Sequence, residues 1–242
     1  MCGRYSNTQV DPALIAKRFG VRESAVEAET LGRFNVCPTE RVLAVCSSDG
    51  AEPAARGLRW GLVPPWARGL GGGYEPINAR AETVREKRPF AELVARADRR
   101  CLVVADGWYE WLRRERPRGV RLPFRYTVDG GGPLAFAGLW DVRRVAGEEV
   151  ASATILTTAA NPVCAPIHDR MPCVLASPEA EAAWLSPHVD AVAAAELLVP
   201  LEAARCTAAP ANPAVNRAGV EGPELLVVPD EEEEEESQLR LV

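Results

Sequence analysis

Short apolar runs, each stopped by Gly, Pro or Asp, limit this chain more than any other feature. They fall at residues 41–47, 54–60, 101–105, 108–112, 123–128, 134–139 and 153–158. Runs of that length with turn residues between them read as strands of an antiparallel sheet. Helical spacing is sparser. Asp11-Pro12 caps a short helix that Gly20 ends, residues 88–96 have helical spacing, Ser177-Pro178 opens another helix, and residues 190–198 are Ala-rich. Residues 224–228 read as a closing strand. There is no internal repeat and no regular β-α-β alternation. The predicted fold is therefore a single α+β domain around a curved, mostly antiparallel sheet, with a few peripheral helices.

With 242 residues, one domain can bury a sizeable core. The predicted division is a folded domain over 1–229 and an acidic, disordered tail over 230–242. The net charge of −6 argues against a nucleic-acid partner only until the tail is set aside. Asp230 and Glu231 to Glu236 supply seven of the 34 acids and Arg240 one of the 28 bases, which leaves 27 of each in the body. Six consecutive glutamates repel one another and do not fold. No apolar run reaches the roughly 18 residues of a membrane span, and the first residues lack the basic-then-apolar pattern of a signal peptide. A cytoplasmic location, with no membrane partner, is expected. The seven cysteines are odd in number and contain no C-x-x-C spacing, so neither a disulfide framework nor a zinc site is expected. Cys101 and Cys173 sit in apolar runs and read as packing residues.

Cys2 is different because it follows Met1 directly. Removal of Met1 leaves an α-amine and a thiol on one carbon skeleton, with reference pKa values of about 7.7–8.0 and about 8.5. Such an aminothiol condenses with an aldehyde to an imine, and the thiolate then closes a five-membered thiazolidine. Glu110 lies in Asp106-Gly107-Trp108-Tyr109-Glu110-Trp111, between two tryptophans. Desolvation there raises a carboxyl towards the range useful for general acid–base work. His168, one of two histidines, sits in a proline-bracketed stretch beside Asp169 and Arg170, as a proton shuttle can. His188 lacks such company and reads as surface. Asn78 and Arg80 are two residues apart, and on an extended backbone they point to one side.

Seven segments in order extend this picture. They are Cys2-Gly3-Arg4-Tyr5, Arg33-Phe34-Asn35-Val36-Cys37-Pro38-Thr39, Arg59-Trp60-Gly61-Leu62-Val63-Pro64-Pro65-Trp66, Asn78-Ala79-Arg80-Ala81-Glu82-Thr83, Gly107-Trp108-Tyr109-Glu110-Trp111, Ala137-Gly138-Leu139-Trp140 and Ile167-His168-Asp169-Arg170-Met171-Pro172. Together they resemble the SOS-response-associated peptidase family, whose members cross-link to abasic sites in single-stranded DNA. The resemblance runs from Cys2 to about Val228 and implies a barrel-like core. It implies an enzyme in which Cys2 supplies amine and thiol and Asn78 orients the reacting group. Glu110 acts as acid and base, and His168 helps open the abasic sugar and assists reversal. Arg4, Arg80 and Arg170 resemble phosphate contacts. Pro38, Trp60, Trp66 and Thr157 resemble groove residues, and the tryptophans suit base stacking. Ala67 stands where some members have a second aromatic. The implied partner is single-stranded DNA with abasic sites, replication-fork DNA included, bound by a monomer that is nucleoid-associated when on DNA. No cofactor or metal is called for, and the implied peptidase activity is self-removal of Met1.

Two other classes fit parts of the pattern. An N-terminal cysteine also serves glutamine amidotransferases, where the thiol attacks an amide. Those enzymes usually carry a partner domain for which this length leaves no room, and the Glu110 and His168 segments would be idle. A non-catalytic single-strand-binding module would use the arginines and tryptophans alone.

Overall fold

The computed structural model describes residues 2–48, 51–71, 73–113 and 121–228. The expected acidic tail lies outside them. In chain order the strands are β1 (Tyr5–Asn7), β2 (Arg33–Val36), β3 (Arg41–Ser48), β4 (Ala51–Trp60), β5 (Asn78–Arg80) and β6 (Arg100–Ala105). They continue with β7 (Gly107–Arg113), β8 (Arg121–Val128), β9 (Leu134–Val145), β10 (Glu148–Ala159), β11 (Arg170–Pro172) and β12 (Cys206–Pro210). Four α-helices occur among the described residues: α1 (Pro12–Phe19), α2 (Phe90–Val94), α3 (Pro178–Leu185) and α4 (Ala191–Glu196).

Five strands close on themselves. β4, β3, β6 and β9 follow one another antiparallel, β9 pairs β10 along eight residues, and β10 returns parallel to β4 at Ser152↔Arg59 and Ala153↔Trp60. The result is an α+β domain with a five-stranded barrel, as the sequence predicts. β5 continues the parallel pairing, with Ile155↔Asn78 and Thr157↔Arg80, and β11 lies antiparallel to the same strand. A second, open sheet runs β12-β8-β7-β1-β2.

Period-two alternation divides the side chains of the barrel strands between two cores. Leu43, Val45, Leu102, Val104, Ala135 and Ala137 pack with Ile15, Phe90, Trp184 and Ala194 of the helices. Val42, Ala44, Cys101, Val103, Phe136 and Ile155 face the other way and pack with Tyr5, Trp108 and Tyr126 of the second sheet. Helix α1 starts where predicted, with Asp11 Oδ1 accepting from Ala13 N, and stops at Gly20, whose φ of 64° is left-handed. Ser177 and Asp190 likewise cap α3 and α4.

The structure differs from the sequence reading at several elements. The expected closing strand is instead a 3-10 turn (Pro223–Leu226), in which Leu225 N donates to Gly222 O and Val227 N to Glu224 O, so these amides are spent locally and not on a ladder. β9 and β10 are each 12 residues long, because a tight turn at Ala146-Gly147 continues their pairing past the apolar runs. The stretch around Arg170, loop-like in sequence, is β11. Short strands β1, β2 and β12 are held by neighbours that a sequence pattern cannot show. No helix of the described residues is long and apolar enough to cross a membrane.

Candidate functional site

The first residues are fastened to the second sheet. Tyr5 sits opposite both Val36 of β2 and Trp108 of β7, and Tyr109 N donates to Arg4 O at 3.0 Å. Asp106, at the corner between β6 and β7, holds the same segment by its side chain. One oxygen accepts from Ser6 Oγ at 2.6 Å and Arg125 Nη2 at 2.9 Å, while the other accepts from Thr8 N at 2.6 Å and from the Thr8 hydroxyl. A buried carboxylate is tolerable only when its oxygens are satisfied in this way. The next residue must be glycine: a Cβ on Gly107 would stand 2.7 Å from Tyr126 O.

This anchorage delivers Cys2 to a fully buried position. Its carbonyl accepts a hydrogen bond from Asn78 Nδ2 at 2.7 Å. Asn78 can reach because β5 lies along β10 and directs its first side chain at the N-terminal segment. Asn78 Oδ1 is buried and has no hydrogen-bond partner among the described residues, so one acceptor remains available beside Cys2. Burial pushes the Cys2 thiol far above the usual cysteine range, and the nearby Glu110 charge pushes the same way. The thiol is therefore protonated at rest.

Glu110 lies on β7 and is almost entirely buried. Burial raises its carboxyl from 4.5 to about 7, and the charge of Asp169 adds to the rise. The sequence reading set it between Trp108 and Trp111. Strand alternation corrects this: Glu110 shares its face with Trp108, whereas Trp111 turns to the opposite face and donates its indole N–H to Asn216 Oδ1. At neutral pH the Glu110 carboxyl is divided between its two forms, as a group that gives and takes a proton requires.

His168 ends a turn built on Asn161, whose side-chain oxygen accepts from Val163 N and Cys164 N. His168 N donates to Cys164 O at 3.0 Å. Its Nδ1 lies 3.0 Å from Arg170 N and 2.9 Å from Asp169 Oδ1. One nitrogen cannot accept from the first and donate to the second. The amide is fixed in β11 and the Asp169 side chain is 84% exposed, so the amide decides. Nδ1 is the acceptor and the neutral ring carries its proton on Nε2.

The other expected contact residues divide by burial. Trp66 is 54% exposed, Arg80 is exposed and Pro38 is half-buried. Arg4 donates to Asn35 Oδ1 at 2.7 Å and Val215 O at 2.6 Å, and its guanidinium lies 5.8 Å from the Trp111 ring centre. With Gly3, Trp111 and Asn216 it lines a cavity of about 390 Å³ beside Cys2. Trp60 departs from the expectation of a groove residue. It is wholly buried, donates to Ile77 O at 2.9 Å and meets Tyr5 edge-on, so it has no face for a base. Thr157 is also fully buried, within bonding distance of Ala79 O and Arg170, and touches no solvent. Arg170 is nearly buried and engaged. It makes a two-pronged pair with Glu82 at 2.6 and 2.9 Å and donates to Thr157 O at 2.6 Å. In this geometry it ties β11, and with it His168, to the segment after β5.

Sequence reasoning missed Asp106, Asn35, Glu82 and Glu221 as supports. Asn35 receives Arg4 and holds Arg217 O and Val220 O, and Glu221 accepts from Phe34 N and Arg33. Asp106, Asn35 and Glu82 each lie in a segment that the sequence singles out, whereas Glu221 left no signal. Among the described residues no group of three or more His, Cys, Asp or Glu side chains is placed to hold a metal ion.

Comparison with known proteins adds an independent line. The family model described as SOS response associated peptidase (SRAP) matches residues 1–218. The chain is 35% identical over 229 residues to the abasic site processing protein YoqW of Bacillus subtilis, covering 93% of this chain and 99% of that protein. It is 32% identical over 205 residues to the abasic site processing protein YedK of Escherichia coli, covering 81% and 85%. A crystal structure of a protein from Bacteroides thetaiotaomicron superimposes with a TM-score of 0.80 at 25% identity, covering 95% of this chain and all of that one. A Bordetella bronchiseptica structure gives 0.71 at 29% identity, covering 86% and 99%.

Proposed function

The chain belongs to the SOS response associated peptidase family, and from that premise we propose that it processes abasic sites in single-stranded DNA by covalent capture at Cys2. The observation that carries this reading is that Asn78 and Glu110 both act on Cys2. Asn78 holds the Cys2 carbonyl at 2.7 Å, the buried Glu110, with its carboxyl near 7, is close enough for its charge to act on the Cys2 thiol, and His168 precedes Asp169, whose charge acts on Glu110.

Capture begins when Met1 is removed and the Cys2 amine is free. An amide nitrogen at that position is delocalised into its carbonyl and cannot form an imine. The abasic sugar opens to its aldehyde, and His168 moves the proton between the ring oxygen and the hemiacetal hydroxyl. The amine adds to the aldehyde carbon, and protonated Glu110 gives its proton to the departing hydroxyl, which leaves as water. The resulting Glu110 carboxylate then draws the proton from the Cys2 thiol as sulfur attacks the imine carbon. The C=N electron pair returns to the iminium nitrogen, which kept its own hydrogen, and the thiazolidine closes with Glu110 protonated again. A thiol held protonated by burial suits this order, because the amine acts first and sulfur is deprotonated only when its target is in place. Asn78 fixes the carbonyl, so both nucleophiles on the same carbon skeleton stay aimed.

The exposed Arg80 and Trp66, with half-buried Arg4 and Pro38, form the DNA groove. Trp60, Thr157 and Arg170 act beneath it, as the support that keeps β5, β10 and β11 in register. Self-removal of Met1 is the peptidase activity in this reading. DNA-bound protein sits at the nucleoid and at replication forks, and binds as a monomer.

The test is a denaturing gel after mixing with an abasic oligonucleotide. A band that survives heating in the native protein and is absent in Cys2→Ala, with non-covalent binding retained, is the expected result. Full adduct from Cys2→Ala overturns the mechanism. Binding without any adduct points to a non-catalytic module, and glutamine hydrolysis without adduct to an amidotransferase.

A further inference from the structure

Between β4 and β5 the described residues 61–71 and 73–77 belong to a loop whose base is closed by several bonds. Leu62 N donates to Pro76 O at 3.1 Å, Trp60 Nε1 to Ile77 O at 2.9 Å, and Arg59 pairs with Glu75 at 2.9 Å. The loop returns to the chain at Asn78, the residue that holds Cys2. On this loop stand the only two exposed Phe, Tyr or Trp side chains among the described residues, Trp66 at 54% and Tyr74 at 57%. Both line one open cleft of about 260 Å³, together with the exposed Arg68 and Leu70.

Two large rings held in water on a loop with a closed base call for an occupant. A cleft of this size is below the roughly 300–1,000 Å³ of pockets for drug-sized ligands and suits one planar group. Arg68 at its edge supplies the charge for a phosphate. Tyr74 is four residues from Asn78, so at about 3.3–3.6 Å per residue its backbone is at most roughly 14 Å from that of Asn78. A strand whose abasic sugar lies at Cys2 has a neighbouring nucleotide within reach of this cleft.

We propose that Tyr74 is a base-stacking residue that acts with Trp66, the other exposed ring of this cleft. The ligand is one unpaired nucleobase flanking the abasic nucleotide on the same strand. This rests on the proposed DNA-processing function and adds a residue outside its chemistry.

The test measures Kd by fluorescence anisotropy on single strands carrying one central tetrahydrofuran, a baseless sugar that cannot open to an aldehyde. In a companion set, each flanking base is replaced in turn by a second tetrahydrofuran. Removing an aromatic stacked on a base weakens binding roughly 5- to 150-fold. Tyr74→Ala should lose that factor on the singly baseless strand, and Tyr74→Phe should keep wild-type affinity. Wild type should lose a similar factor when one particular flanking base is removed, and Tyr74→Ala should lose nothing further there. The proposal is overturned if Tyr74→Ala binds as wild type, or if its loss is equal at every flanking position. A wild-type protein that binds but never forms adduct refutes capture and leaves the stacking result standing. Adduct formation with a neutral Tyr74→Ala does the reverse.

Discussion

Glu110→Gln should make the protein both slower and more stable, with the gain confined to one side of a pH window. Raising the folded carboxyl from 4.5 to about 7 corresponds to about 3 kcal/mol in favour of its neutral form. The sign follows from linkage. Below about 4.5 the carboxyl is protonated in folded and unfolded chains alike, and its burial carries no charge penalty. Between about 4.5 and 7 the folded protein keeps the proton and the unfolded chain loses it, so stability falls as pH rises. Above about 7 the full penalty of roughly 3 kcal/mol is in place. Glutamine has nearly the same shape and never ionises, so it escapes the penalty. At about 2–4 °C per kcal/mol for a domain of this size, its Tm should exceed that of wild type by roughly 6–12 °C at pH 8.5 and by much less at pH 5. Adduct formation should slow about 10²–10⁴-fold, the usual contribution of a general acid–base group. Calorimetry at the two pH values and a quenched time course with abasic oligonucleotide give both numbers. A Tm difference that is the same at pH 5 and pH 8.5 would refute burial of an ionisable carboxyl as its source. An unchanged capture rate would remove Glu110 from the chemistry.

The remaining predictions test the supports. Asn78→Ala leaves the Cys2 carbonyl without its donor, and a lost buried hydrogen bond of about 1–3 kcal/mol should slow capture roughly 5- to 150-fold while Kd for uncleavable baseless DNA stays level. Equal losses in both would assign Asn78 to binding instead. Asp106→Ala strands Arg125 and the Thr8 amide, and should lower stability by about 3–5 kcal/mol, read by urea unfolding; a loss under 1 kcal/mol would show that β1 is held by its backbone pairing alone. An N-terminal extension that cannot be removed should abolish adduct although Cys2 is intact, and a cleavable one that leaves Cys2 first should restore it. Intact-mass spectrometry reads the outcome, and adduct on the blocked protein at the normal rate excludes thiazolidine capture.

Much of this protein is written in local chemistry. Turn residues between apolar runs announce β3, β4 and β6 to β10. Asp11-Pro12 with Gly20, Ser177-Pro178 and Asp190 announce three of the four helices, because caps and strand alternation act over a few neighbouring residues. Cys2 is legible for the same reason: an aminothiol needs only its place behind Met1. Glu110 is legible as a carboxyl in an aromatic strand, although alternation puts it with Trp108 and away from Trp111. What depends on distant partners is not legible. β1, β2, β11 and β12 are three to five residues long and exist because neighbours far along the chain complete their ladders. Burial of Trp60 and Thr157 and the pairing of Arg170 with Glu82 follow from the closing of β10 on β4 and β5. A tryptophan in a motif looks the same whether it faces a groove or a core. The barrel decides between them, because each strand side chain takes the face that its register assigns, and that register is set by pairings across as many as 93 residues of chain, as at Ser152↔Arg59.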